Sequence, residues 1–224
     1  MNPAIDAVYQ ADDEGADVHC KPGQEHIRFR HSFSDPQFLK RLLQSNQSLL
    51  KACGNKQRSI RTVLDITAGW GMDSFLLAHN GRDVTALEQN RLVFAITAHS
   101  LKCAEESPKL AQTARRIKLL NTNSADFLAD PQKANGFDCI YIDPMFPGHR
   151  SNAKPCKEMQ ILQQLTANVD INLAFELALK QAKNRVVVKR PAKSPPFCTM
   201  RPDLVYRQKT VRFDIYLTVN SRIS

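Results

Sequence analysis

The chain has 224 residues, room for one large domain or for one domain with a small appendage. Apolar residues make up 42% and charged residues 24%, globular proportions that exclude a disordered or fibrous chain, and no apolar run approaches the ~18 residues of a membrane span. A formal net charge of +9 favours a polyanionic partner.

The first 25 residues are acidic, with Asp6, Asp12, Asp13, Glu14, Asp17 and Glu25 against Lys21. They contain no basic stretch followed by an apolar one, so no secretory signal is read there and a cytoplasmic location is expected. Residues 37–53 place Phe38, Leu42, Leu49 and Leu50 at helical spacing, with Ser34 and Asp35 as caps and Gly54 as the stop. From position 62 the rhythm changes. Residues 62–66 (TVLDI) form a short buried strand followed by the glycine-containing turn TAGWG, and residues 72–80 a helix ending at Gly81. A second strand (83–88), a helix (90–106), a third strand (116–121) and a fourth (137–143) follow. Residues 157–166 and 170–183 have helical patterns, and RVVVKR (185–190) is a fifth strand. Residues 204–208 and 211–219 sit close enough to pair as an antiparallel hairpin.

Strand and helix alternate from 62 to 190, which predicts an α/β domain whose mostly parallel sheet is flanked by helices. Ligands of such sheets bind beyond the carboxyl ends of the strands. Those ends carry Asp65 and the Ala68-Gly69-Trp70-Gly71 turn, then Glu88, then Asn121 to Asp126, then Asp143-Pro144-Met145-Phe146-Pro147. Glycines at 69 and 71 let a ligand approach the backbone. Ser74 stands where a dinucleotide fingerprint asks for a third glycine. Glu88 is placed to accept hydrogen bonds from ribose hydroxyls. Cys20, Cys53, Cys103, Cys139, Cys156 and Cys198 are scattered without a CxxC pair, and the histidines form no HxH or HxxxH cluster, so no metal is expected. The positive excess collects in residues 150–224, with 14 basic and 5 acidic side chains. Lys189 and Arg190, ending the fifth strand, are read as a phosphate or base contact, and Lys154, Lys157, Lys193 and Arg212 as extensions of that basic surface.

The order of these strand ends resembles that of class I S-adenosylmethionine-dependent methyltransferases from about residue 60 to 217. DITAGWGMDSF, YIDPMFP, KEMQ, VVVKRP and RFDIY, in that order, are similar to the bacterial small-subunit (16S) ribosomal RNA guanine-N2 methyltransferases of the RsmJ type. The N-terminal segment departs from that pattern: FRHSFSDPQ stands where the family has a basic, glycine-rich run. The resemblance implies a Rossmann-like, three-layer α/β/α sandwich with about seven strands closing in an antiparallel hairpin. It divides the chain into an N-terminal extension (1–55) that contains a helix and faces RNA, and a methyltransferase domain (56–224). It implies cofactor contacts from Asp65, Gly69, Gly71, Met72, Asp73, Glu88, Gln89, Asn123, Ser124 and Asp143. Asp143, Pro144 and Phe146 become the catalytic turn, with the aspartate and the proline carbonyl accepting the N–H bonds of an amino group and Phe146 stacking on the base. Lys157, Lys189 and Arg190 become RNA contacts, and the partner is small-subunit ribosomal RNA or the small ribosomal subunit. The turn alone leaves open another amine or amide, such as adenine N6 or a protein glutamine. A nucleotide-binding oxidoreductase and a non-catalytic RNA-binding factor are the readings from other classes.

Overall fold

The central strands of this chain are apolar on both faces, so each needs cover on both sides, and a parallel sheet between two helical layers supplies it. The computed structural model describes residues 7–20, 27–43, 47–54, 60–134, 136–144, 171–195 and 197–218. Its larger sheet contains β4 (Thr62–Asp65), β5 (Asp83–Leu87), β6 (Ile117–Leu120), β7 (Cys139–Ile142), β8 (Arg185–Pro191), β9 (Leu204–Arg207) and β10 (Val211–Leu217), in the order β6-β5-β4-β7-β8-β10-β9. The first five are parallel, and β10 runs antiparallel to both β8 and β9, as the hairpin pattern predicts.

Alternate residues feed opposite faces. Val63, Cys139, Tyr141, Val187, Phe213 and Ile215 pack into one layer, with α1 (Pro36–Leu43), α2 (Gln47–Ala52) and α3 (Met72–His79). Leu64, Ile140, Ile142, Val186, Val188 and Tyr216 face the other, which holds α6 (Ser124–Ala129), α7 (Pro131–Ala134) and α8 (Ile171–Gln181). The helix expected over 37–53 corresponds to α1 and α2, and the one expected over 157–166 lies outside the described residues. Asp138 ties the central strands together at their starts. Its carboxylate accepts from the backbone N–H groups of Arg61 and Thr62 at 2.8 and 2.9 Å, while the Thr62 hydroxyl oxygen accepts from Asp138 N at 3.0 Å.

The sequence patterns did not anticipate a second sheet, built from β1 (Ala7–Asp12), β2 (Gly15–Cys20) and β3 (Ile27–His31), all antiparallel. Its buried residues Ala16, Val18 and Phe29 meet Trp70 of the glycine turn and Val93 and Ile96 of α4 (Arg91–Glu106). Residues following β3 also enter the main core. The Phe33 ring lies 4.4 Å from that of Phe75, tilted by 14°, and packs against Phe38 and His31. His31 is buried between Phe33 and Trp70, and burial pushes its pKa down to about 4.

Phe33 is 1% exposed and joins residues on both sides of position 55. Phe33→Ala is expected to cost about 3–5 kcal/mol through lost transfer energy and the cavity left behind. Urea unfolding of the variant should show a lower midpoint at an unchanged m-value. A midpoint equal to that of the parent protein would show that this ring does not join the two segments.

Candidate active site

The carboxyl ends of β4, β5, β6 and β7 form the candidate site. Asp65 ends β4 and is 1% exposed. One of its oxygens accepts from Thr67 N at 3.0 Å and the other from the Ser74 hydroxyl at 2.5 Å. Burial pushes its pKa up to about 7, with the charges of Asp73 and Asp143 adding to the rise. The turn after it holds Gly69 and Gly71 at φ of +52° and +70°, where an L side chain is strained. Gly69 N donates to Glu88 Oε2 at 3.0 Å, and Gly69 O accepts from the Thr97 hydroxyl at 3.1 Å. At Gly71 the packing of the protein itself also requires the absence of a side chain. A Cβ there would come within 3.1 Å of Thr97 Cγ2 and 3.3 Å of the Phe33 ring, so the space it leaves is filled by protein.

Glu88 follows β5 and is 5% exposed; its second oxygen accepts from Asn90 N at 2.7 Å. Burial raises its pKa, opposed by the N–H groups of Asn90 and Gly69. Asn90 caps α4, accepting from Leu92 and Val93 N, and Asn123 caps α6, accepting from Ala125 and Asp126 N. Asn123 Nδ2 also donates to Gln89 Oε1 at 2.8 Å, and Asn121 Nδ2 to Glu88 O at 2.8 Å, so the loops after β5 and β6 are clasped. Ser124 is buried at the start of α6.

At the end of β7, Asp143 N donates to Thr67 Oγ1 at 2.7 Å. Lys189 Nζ donates to Asp143 Oδ2 and to Asp73 Oδ2, both at 2.8 Å, and Tyr141 OH donates to Asp73 Oδ2 at 2.6 Å. Burial would raise Asp73, but the Lys189 charge and the hydrogen bonds from Lys189 and Tyr141 outweigh it and hold its pKa below the usual range. Asp143 is raised, by burial first and with the Asp73 charge adding, against the pull of Lys189. Pro144 is buried, and Met145, Phe146, Pro147, Lys154 and Lys157 lie outside the described residues.

The basic surface expected around 189–190 is differently arranged. Lys189 turns into the acids, and Arg190 is 4% exposed with its guanidinium carbon 5.5 Å from the Phe197 ring centre. Arg212 is buried too, donating to both oxygens of Asp214 and to Ser194 O. Lys193 is exposed. Sequence reasoning also passed over Tyr141 and Thr67. Tyr141 had a usable signal: strand alternation sets it on the same face as Cys139, the side on which α3 begins.

The family model for SAM-dependent methyltransferases matches residues 24–218. Ribosomal RNA small subunit methyltransferase J of Thioalkalivibrio sulfidiphilus is 39% identical over 174 residues, covering 77% of this chain and 68% of that one. The protein of the same name from Francisella tularensis subsp. novicida is 34% identical over 189 residues, covering 82% of this chain and 78% of that one. The chain belongs to this methyltransferase family. The crystal structure of a SAM-dependent methyltransferase from Neisseria gonorrhoeae superposes with a TM-score of 0.73 at 28% identity, covering 98% of this chain and 86% of that one. The methyltransferase therefore uses S-adenosylmethionine, and its sheet is the class I arrangement expected. Among the described residues no helix is long and apolar enough to cross a membrane, and no group of three or more His, Cys, Asp or Glu side chains could hold a metal ion.

The buried carboxyl of Asp65 makes the stability of this methyltransferase depend on pH. Its folded pKa of about 7 lies above the ordinary 3.8, so its favourable contribution is complete below pH 3.8 and is lost as pH rises through 7. Asp65→Asn keeps an acceptor for Thr67 N and cannot ionise. The stability of the variant minus that of the parent should therefore grow between pH 4 and pH 7, by on the order of 1.4 kcal/mol per pH unit, and level off above. Urea titrations at four pH values check this; a difference constant from pH 4 to pH 8 would contradict it.

Proposed function

We propose that this methyltransferase transfers a methyl group from S-adenosylmethionine to the exocyclic 2-amino group of a guanine in small-subunit ribosomal RNA. The observation that carries the reading is the Asp143-Pro144 turn, whose aspartate is anchored twice, through its N–H to Thr67 and through one carboxylate oxygen to Lys189. The names of the relatives, ribosomal RNA small subunit methyltransferase J, support the choice of RNA. Lys157 and the exposed Lys193 are the proposed phosphate contacts.

The lone pair of a purine amino group is delocalised into the ring, which makes the nitrogen a poor nucleophile. Asp143 and the Pro144 carbonyl accept its two N–H bonds, drawing the nitrogen towards pyramidal geometry and aiming the lone pair. Phe146 offers a face on which the extruded base stacks. S-adenosylmethionine, when bound, supplies a methyl group already activated as a sulfonium. The chain's own work is then positioning and electrostatics. The nitrogen lone pair forms the new bond to carbon, the electron pair of the broken carbon–sulfur bond stays on sulfur, and the nitrogen afterwards loses a proton to solvent.

The donor set fits this cofactor. Glu88 accepts from Gly69 and Asn90, and a carboxylate has about four acceptor sites, leaving capacity for ribose hydroxyls. Gln89, Asn123 and Ser124 would hold the adenine, and Met72 and Asp73 follow the glycine turn, where the acid would favour a cationic ligand. Asp65 acts one step back, holding Thr67 and Ser74.

Mass mapping of modified nucleosides in ribosomal RNA from a strain lacking the protein tests the reading. One methylguanosine should vanish from the small-subunit RNA and return with the wild-type protein, but not with Asp143→Ala. In single-turnover assays Asp143→Ala should lower the rate about 10²–10³-fold. An unchanged map would defeat the reading, and loss of a methyladenosine would move the activity to another exocyclic amine.

A further inference from the structure

Lys189 does something that neither phosphate contact nor cofactor contact requires. Its ammonium sits 2.8 Å from one oxygen each of Asp73 and Asp143, and Tyr141 donates to that same Asp73 oxygen. The three charged side chains are between 23% and 32% exposed, so the bridge is shielded more than a surface ion pair. One end lies in the first turn of α3, directly after the glycine turn, and the other in the amino-accepting turn after β7. We propose that Lys189 is a positioning residue for methyl transfer. It holds Oδ2 of Asp143 so that Oδ1 faces the amino group, and through Asp73 it fixes that acceptor relative to the helix that begins at the cofactor turn. The proposal rests on the reading of Asp143 as the acceptor of the amino group.

Two physical arguments carry it. The terminal torsion of an aspartate is broad, so an unclamped carboxylate samples many orientations, whereas a bond to a fixed ammonium selects one. Charge is the second. The groups facing Asp143 are Lys189 from β8, Asp73 from α3 and Asp65 from β4, with Tyr141 from β7 close by. The Lys189 charge opposes the protonation that burial and the Asp73 charge favour at Asp143, and with both acids ionised the trio carries one net negative charge. That charge faces a nitrogen that becomes positive as its bond to carbon forms. Without the ammonium, two adjacent carboxylates share a proton, and a protonated Asp143 no longer offers that charge.

The test uses the full-length chain, with Lys189→Met, Lys189→Arg, Asp73→Asn and the double variant Asp73→Asn/Lys189→Met. Three readouts are needed: single-turnover rates at saturating small-subunit RNA and cofactor from pH 6 to pH 9, affinity for S-adenosylhomocysteine, and the titration of the ¹³C-aspartate resonance that disappears in Asp143→Asn. Lys189→Met should lower the rate constant about 10²-fold, the scale of a misplacement of roughly 1 Å. It should also raise the Asp143 midpoint, so that part of the rate returns as pH rises. Lys189→Arg should restore the titration and much of the rate. In the Asp73→Asn background, where only one carboxylate needs neutralising, Lys189→Met should still slow the reaction, which separates positioning from charge balance. A merely structural lysine would change the amplitude of active protein while leaving the rate constant and the Asp143 titration untouched, and that outcome overturns the proposal. So does a full recovery of rate in the double variant. If Lys189→Met does not fold, comparing the double variant with Asp73→Asn decides between the same two outcomes. If the wild-type protein leaves small-subunit RNA unmethylated, the functional reading fails separately, and an Asp143 midpoint unmoved by removing Lys189 still overturns the clamp.

Discussion

The ammonium of Lys189 stands between carboxylates that the sheet itself brings together. β4 and β7 are parallel neighbours, so Asp65, which ends β4, and Asp143, which follows β7, lie at the same end of the sheet, and Asp73 joins them from the first turn of α3. Like charges at such separations repel strongly where water is partly excluded. The strand next to β7 is β8, and its pairing in register with β7 delivers a lysine to the same end of the sheet. Strand order thus decides which cation meets which acid. The remainder of the site is arranged around that partly neutralised cluster. Thr67 joins Asp65 to Asp143, Glu88 receives the glycine turn, and the Asn123–Gln89 clasp closes the far side.

Much of this was legible because it rests on local signals. Strands of four to seven residues, each with a core of two to four consecutive apolar side chains, were marked by the glycine, asparagine and aspartate turns between them, and parallel sheets place ligand-binding groups at their carboxyl ends. Asp65, Glu88 and Asp143 therefore stand out in the sequence itself. What escaped notice depends on neighbours distant in sequence. Lys189, Arg190 and Arg212 count as positive charges in any tally of composition. Yet β10 pairs with β8 so that Arg212 lies opposite Arg190, and both are taken inside, one against Asp214 and one beside Phe197. Net charge measures how many cations a chain has, and burial decides how many face a ligand.

The N-terminal sheet was missed for a different reason. Its strands carry alternating buried residues, Ala16 and Val18 among them, but these are small and set among acids, so charge obscured the period-two pattern. The turn did leave a mark. Asp12 accepts from the backbone N–H groups of Glu14 and Gly15, the short-range bonding by which aspartate nucleates a turn. Arg30 then bridges Asp12 and Asp17 across the sheet, so the acidic residues that hid the strands also help to hold them. Burial of Phe33, Phe38 and Leu49 in the main core carries the chain from this sheet into the methyltransferase fold.

That small sheet has a consequence for the order in which the chain is made. Three strands of five or six residues, with Ala16, Val18 and Phe29 as their buried side chains, have too little apolar surface to persist alone in water. The surface that completes them comes from Trp70, Val93 and Ile96, which leave the ribosome some forty to eighty residues later. During synthesis the first part of the molecule therefore waits, its apolar face uncovered, until α4 has emerged. Its closure also depends on Trp70, so the glycine turn that ends β4 and the N-terminal sheet are completed together.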